Sequence, residues 1–238
     1  MVVSNFSYWV ELRRRLLYAL FAVMSVFLAL CYFSNDLYYY LAIPLLKHLN
    51  VGSGLIATGI VSPFLVPLKL TLVVAIFITI PFLLYQLWAF IAPALYQQER
   101  RLVWPLLFSS SLLFYLGVLF AYFVVFPLVF GFFVNTAPKG VDVKPDISQY
   151  LDFSLRLFFA FGAAFEVPVA IILLVKTGFT SVANLRRKRP YIIVAAFVIG
   201  MLLTPPDVVS QVLLALPIWL LFELGLVCAR FFVKVSPI

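Results

Sequence analysis

The chain has 238 residues, of which 65% are hydrophobic and 11% charged, and its mean hydropathy is +1.14. Soluble domains are about 45–50% apolar and about 25% charged, so a soluble class is excluded and the composition is that of a polytopic helical membrane protein. The net charge of +8 sits in short basic clusters between apolar runs, which signals topology; no nucleic-acid recognition module accompanies it.

A short polar and aromatic lead ends at Arg13, Arg14 and Arg15, and an apolar run extends from there to Phe33. That run is too long for a secretory leader, and Tyr32-Phe33-Ser34 is no small-x-small cleavage site, so residues 13–33 are a retained first span with its start in the cytoplasm. Residues 34–68 form an external cap: Tyr38, Tyr39 and Tyr40 suit an interfacial helix, Pro44 bends it, and Gly52, Gly54, Gly59, Pro63 and Pro67 interrupt the rest of the segment. The second span covers 69–90 with Pro81 inside it, and the third covers 104–134. Between them lies a cytoplasmic turn ending in Glu99-Arg100-Arg101. A loop rich in Pro, Gly, Lys and Asp leads to the fourth span, 153–175.

The fifth span, 190–204, is only about 15 residues, roughly 22 Å of helix against a hydrocarbon core of about 30 Å. Thr204-Pro205-Pro206-Asp207 turns it into the sixth span, 208–230, and this short pair is expected to thin the bilayer or stop below the outer surface. About twelve basic residues fall in cytoplasmic segments and about four in external ones, which favours six spans, both termini inside, and a single integral membrane domain over 1–238.

Within the fourth span, the run Leu157 to Val175 contains one ionisable residue, Glu166, roughly 15 Å from Lys176 and so near mid-membrane. A carboxyl group there costs at least ~2.5 kcal/mol on insertion scales, so it marks a functional site by default. Pro168 beside it should kink the helix. Glu11 and Glu99 lie on the cytoplasmic rim among arginines: either they form local ion pairs, Glu11 with Arg15, or they receive a cationic ligand through bidentate bonds. Asp36, Asp142, Asp146, Asp152 and Asp207 read as solvated loop acids and helix caps, and Glu223 as the partner of Arg230 or another basic residue.

Catalysis finds no footing. There is no GxSxG, HExxH or phosphate-binding glycine loop, and Ser109, Ser110 and Ser111 have no histidine nearby and suit helix packing. The single histidine, His48, and the separated Cys31 and Cys228 supply no ligand set, so neither metal nor cofactor is expected.

Glu11-Leu12-Arg13, Phe90 to Tyr96 with Glu99-Arg100-Arg101, Phe120 to Phe123, Phe161-Gly162 with Phe165-Glu166-Val167-Pro168, and Thr204 to Asp207 with Gln211 together resemble the TatC family across essentially the whole chain. That family is the receptor core of the bacterial twin-arginine translocase. The resemblance implies a cup-shaped six-helix protein of the bacterial inner membrane. It would bind twin-arginine signal peptides of folded cargo and recruit single-span TatA- and TatB-type subunits in a hetero-oligomer, driven by the proton motive force. It places Glu11, Glu99, Arg13 and Arg101 at the signal peptide, Glu166 at an intramembrane polar site reached by the signal's apolar part, Pro44 and Asp207 in the external cap, and Met201, Leu202 and Gln211 where partner subunits dock. Tyr8-Trp9 stands where the family usually has His-Leu, so an imidazole there is not essential. The competing expectation is a proton- or ion-coupled transporter with Glu166 as relay, weakened by the lack of internal repeats and of a second buried acid.

Overall fold

The computed structural model describes residues 5–47, 54–91, 103–136, 144–203 and 208–232. Its elements are helical: α1 (Asn5–Leu30), a 3-10 turn (Cys31–Phe33), α2 (Ser34–Leu46), α3 (Ser62–Ile91), α4 (Val103–Phe120), a π-helical turn (Ala121–Val125), α5 (Phe126–Asn135), α6 (Ile147–Lys176), α7 (Val182–Arg187), α8 (Arg189–Leu203) and α9 (Val208–Phe232). Five helical segments among the described residues, Val10–Leu46, Ser62–Leu87, Trp104–Asn135, Ile147–Lys176 and Gln211–Phe231, are long and apolar enough to cross a bilayer, and α8 is a shorter apolar helix. The chain is a multi-pass α-helical membrane protein.

Two expectations about length change. Only α8, at 15 residues, is short; α9 has 25 and reaches about 37 Å, a full span, because its helix continues unbroken through Pro217. The second long helix opens at Ser62, ahead of the expected 69. Pro63 falls in its first turn, where a missing N–H costs nothing, and the N–H groups of Phe64 and Leu65 both donate to the Val61 carbonyl.

The chain divides into two compact units, Met1–Leu41 with Gly59–Ser111, and Ala42–Thr58 with Leu112–Ile238. In the first unit α1 packs along α3, in which Leu70, Val73, Ala75 and Phe77 are buried. The outward face of α1 carries Leu16, Leu20, Phe21 and Leu28, all exposed, as a lipid-facing surface requires. Thr71 and Thr79 are buried, and their hydroxyls donate to Pro67 O and Ala75 O of their own helix, so neither hydroxyl proton is stranded.

In the second unit α6 packs along α9, and α9 along α8. Phe126, Phe161, Leu151, Leu157, Leu214 and Leu226 are its most buried large side chains. The π-helical turn precedes Pro127, whose ring opposes the carbonyl of Phe123 in a regular helix and which cannot donate to it. Widening the turn relieves that conflict. It also leaves Ala121, Val125 and Phe126 buried, with Phe126 stacked 5.0 Å from Phe158. α6 runs helically through Pro168 and ends where Gly178 adopts φ 72, a left-handed conformation that glycine takes without strain.

Candidate functional site

On the first unit, Glu11 lies near the start of α1 and is half-buried. Its Oε1 accepts from Arg15 twice, at 2.6 Å from a terminal nitrogen and 3.0 Å from Nε. The remaining terminal nitrogen of Arg15 donates to Gln86 Oε1 on α3 at 3.2 Å. The i, i+4 spacing explains the pair, and Gln86 extends it between the two helices. Of the two readings open for Glu11, the local ion pair is present. Yet Oε1 takes both bonds, so Oε2 accepts none among the described residues. Arg13 and Arg14 are exposed beside it. Glu99 and Arg101 lie outside the described residues, as does Asp207. Gln86, 71 positions from Arg15, carries no local sequence signal.

On the second unit, Glu166 is half-buried on α6, ten residues before Lys176, so it stands about 15 Å from that helix end. Phe165, its neighbour, stacks 5.6 Å from Phe120, and Phe120 lies 5.5 Å from Phe161. Pro168 is buried, and α9 approaches its backbone at Gly225. An acid at this depth is therefore set in a wall of aromatic and close-packed apolar groups, where its charged form is expensive.

α8 and α9 form a tight pair. A Cβ at Gly200 would stand 3.2 Å from Gln211 O and 3.3 Å from its Cγ, so the absent side chain is what lets the helices meet. Gln211 Nε2 donates to the Phe197 carbonyl at 2.9 Å, a bond across the pair within its apolar part. Met201 and Leu202 are exposed beside it, at 52% and 69%. An apolar groove of about 240 Å³, lined by Ala196, Phe197, Val212, Leu216 and Trp219 among others, runs along the same two helices. Arg189, at the start of α8, forms a salt bridge with Glu223 of α9, which settles the partner of that acid. The docking residues expected from sequence thus lie together on one hairpin.

One of the acids read from sequence as a loop acid or helix cap is engaged. Asp146 caps α6: its Oδ1 accepts from the N–H groups of Ser148 and Gln149 at 2.8 and 3.1 Å. Its Oδ2 accepts from the Thr58 N–H at 3.0 Å and hydroxyl at 2.7 Å. The Thr58 hydroxyl is the first cause holding this carboxyl down to about 2, with the Thr58, Gln149 and Ser148 backbone donors adding to it. A one-residue parallel bridge, Ile56 with Asp146, runs beside it. Pro44, expected from sequence in the external cap, is buried inside α2. The cap of α6 is readable from Asp146 before an apolar run, but its second partner, 88 positions away, is not.

The profile of the family described as "Sec-independent protein translocase protein (TatC)" matches residues 7–217. The chain is 64% identical to the Sec-independent protein translocase protein TatC of Haemophilus influenzae over 226 residues, covering 95% of this chain and 88% of that one. It is 60% identical to the protein of that name from Escherichia coli over 227 residues, with the same shares covered. A crystal structure described as the twin arginine translocase receptor TatC superposes with a TM-score of 0.83 at 38% identity, covering 94% of this chain and 99% of that chain. These relatives are protein-transport components, not enzymes. The chain belongs to the TatC family of Sec-independent protein translocase proteins.

Proposed function

We propose that this protein is the signal-peptide receptor of a twin-arginine translocase in the bacterial inner membrane, with both termini in the cytoplasm. The observation that supports the reading is the Glu11 carboxylate: Arg15, itself held by Gln86, fixes its orientation through Oε1, and among the described residues nothing donates to Oε2, which suits it to a second guanidinium. A guanidinium presents a planar fork of donors, and a charge-assisted bond to a fixed carboxylate is roughly twice as strong as a neutral one. Glu99 supplies the second acid for the second arginine of the signal, and Arg13 and Arg101 orient the peptide backbone carbonyls and exclude wrongly placed cations.

Glu166 is the polar contact inside the membrane for the inserted part of the signal. Single-span TatA- and TatB-type subunits dock on the hairpin of α8 and α9 at Met201, Leu202 and Gln211, in a hetero-oligomer. α8 spans about 22 Å, roughly 8 Å less than the hydrocarbon core, so docked subunits sit where the bilayer is easiest to thin. Pro44 and Asp207 belong to the external cap that closes the far end. The proton motive force is the energy source, since a field of 100 mV supplies about 2.3 kcal/mol per charge moved. Family membership supports protein translocation over coupled transport of small ions with Glu166 as relay.

The test is binding of a labelled signal peptide to the purified full chain in nanodiscs. Glu99→Gln and Glu11→Gln should each weaken a twin-arginine peptide by about tenfold, the loss of one charged hydrogen bond, and leave a twin-lysine peptide unchanged. Equal affinity for the twin-arginine peptide before and after both changes would remove the acids from this role.

A further inference from the structure

The end of the second unit where α6 and α9 finish carries a patch that the receptor reading does not use. Lys176, Arg186, Arg187, Lys188 and Arg230 are all exposed there, and none forms an ion pair among the described residues. No acid lies between Glu166 and Asp207 or after Glu223, and Glu223 is taken by Arg189. The patch is therefore cationic, with no counter-charge of its own. Three large rings belong to the same end, Phe179 at 87% exposure, Phe231 at 80% and Tyr191 at 75%, each within three residues of one of these cations.

A topology signal needs only cations close to a span. Here they are mounted on a built element. α7, with six residues, is too short to hold itself as a helix in water. Val182 and Leu185 seat it against Ile171, Phe222, Leu226 and Ala229, and at its start the Asn184 N–H donates to Ser181 Oγ at 3.2 Å. Ile171 lies five residues before Lys176, about 7.5 Å along α6, and Ala229 adjoins Arg230. α7 thus lies beside the last turns of both long helices, where their cations mark the edge of the hydrocarbon. Gly178, with φ 72, ends α6, and Phe179 follows it out of the helix. Cations held at the level of lipid phosphates, with rings beside them, match an anionic headgroup layer. An acidic protein segment would satisfy the charges but leave the rings in water.

We infer that α7 and the neighbouring ends of α6 and α9 form a docking surface for anionic phospholipid headgroups. They lie in the leaflet where those helices end, the cytoplasmic one on the topology proposed above. Lipid phosphates pair with Arg187 and Lys188, and Phe179 rests among the glycerol and upper acyl carbons. Phosphatidylcholine carries an ammonium beside its phosphate, so it is a weaker partner for these cations than phosphatidylglycerol.

The full chain is reconstituted in phosphatidylcholine bilayers with a trace of spin-labelled phosphatidylglycerol or phosphatidylcholine, and electron spin resonance reads the share of label immobilised at the protein. The wild type should favour phosphatidylglycerol about threefold, the size of one exposed ion pair. Arg187→Gln with Lys188→Gln should lose most of that preference. Lys47→Gln with Lys144→Gln, the same change in net charge at exposed positions elsewhere in the chain, should keep it. A fluorophore on Phe179→Cys, in a Cys31→Ser, Cys228→Ser background, reads the local contact. Acrylamide should quench it less in phosphatidylglycerol bilayers than in phosphatidylcholine, and equally in both once Arg187 and Lys188 are replaced. Unaltered quenching of the α7 variant in phosphatidylcholine shows that α7 is still seated. An equal preference in wild type and α7 variant overturns the site, as does equal loss in Lys47→Gln with Lys144→Gln, which would mean attraction by overall charge. A glutamate-rich peptide that binds the wild type but not the α7 variant, with no lipid preference in either, would assign the patch to an acidic protein segment and overturn the lipid.

Discussion

Gly225 of α9 rests against the backbone of α6 at Pro168: a Cβ at 225 would lie 2.9 Å from Pro168 Cα and 2.7 Å from Ile171 Cδ1. Ile171 can rotate away, but the proline backbone cannot. Small residues at such crossings let transmembrane helices touch where lipid gives no hydrophobic push. Gly225→Ala should therefore lower stability by about 1–3 kcal/mol, the usual cost of overpacking, and Gly225→Val by more. Thermal unfolding in detergent measures it. Wild-type stability in the valine variant would mean that α6 and α9 do not meet at this point.

Asp146 makes the N-terminal end of α6 sensitive to acid. Its carboxyl is held at about 2, below the ordinary 3.8, chiefly by the Thr58 hydroxyl. A depressed folded-state value means the stabilisation is complete above the unfolded value near 4 and fades as pH falls from there toward 2. Thermal midpoints should thus fall on acidification over pH 4 to 2, and Asp146→Asn should flatten that part of the profile. Thr58→Val should shift the fall to higher pH, because the leading donor is gone. A wild-type slope that persists in Asp146→Asn would assign the acid response to other carboxyls.

Local spacing governs which features of this protein are legible in its sequence. The spans are readable because twenty or so apolar residues are needed wherever a helix crosses lipid, and Glu11 with Arg15 because four residues make about one helical turn. The short α8 is readable from the distance between Arg189 and Pro205. The hidden features all depend on who lies opposite. Gln86 reaches Arg15, Thr58 reaches Asp146 and Arg189 reaches Glu223 only after helices pack. The length of α9 is legible as well, 208–230 against Val208–Phe232; only its grouping with α8 as a short pair misleads, since nothing requires paired helices to match in length. The early start of α3 is obscured because Pro63 and Pro67 read as breakers, although a first-turn proline costs a helix nothing.

Gln211 can separate hairpin geometry from partner docking. Its bond to Phe197 O adds a second donor to a carbonyl that the helix already uses, so Gln211→Leu should cost no more than about 0.5–1.5 kcal/mol. The exposed Met201 and Leu202 stay in place. Crosslinking of a single-span subunit to residue 202 should fall several-fold in Gln211→Leu while the thermal midpoint moves little. Gly200→Leu should reduce both, since its side chain would drive α8 from Gln211. Undiminished crosslinking in both variants would place the partner elsewhere.

Charge around Glu11 predicts an unusual response to salt. Arg13, Arg14 and Arg15 lie within about a turn of it, so the rim of α1 is net positive even with Arg15 engaged. A doubly cationic peptide is then repelled at a distance and held only by short contacts. Each unit pair at 10 Å in water is worth about 0.4 kcal/mol, and salt at about 0.1 M screens beyond roughly that distance. Raising salt from about 50 to about 300 mM should leave twin-arginine affinity unchanged or improve it by about twofold. Arg14→Gln, at an exposed position that makes no contact with Glu11 among the described residues, should give the same improvement at low salt and remove the salt response. If affinity instead drops tenfold over that range, attraction at a distance drives capture, and the carboxylate of Glu11 is not the element that holds the peptide.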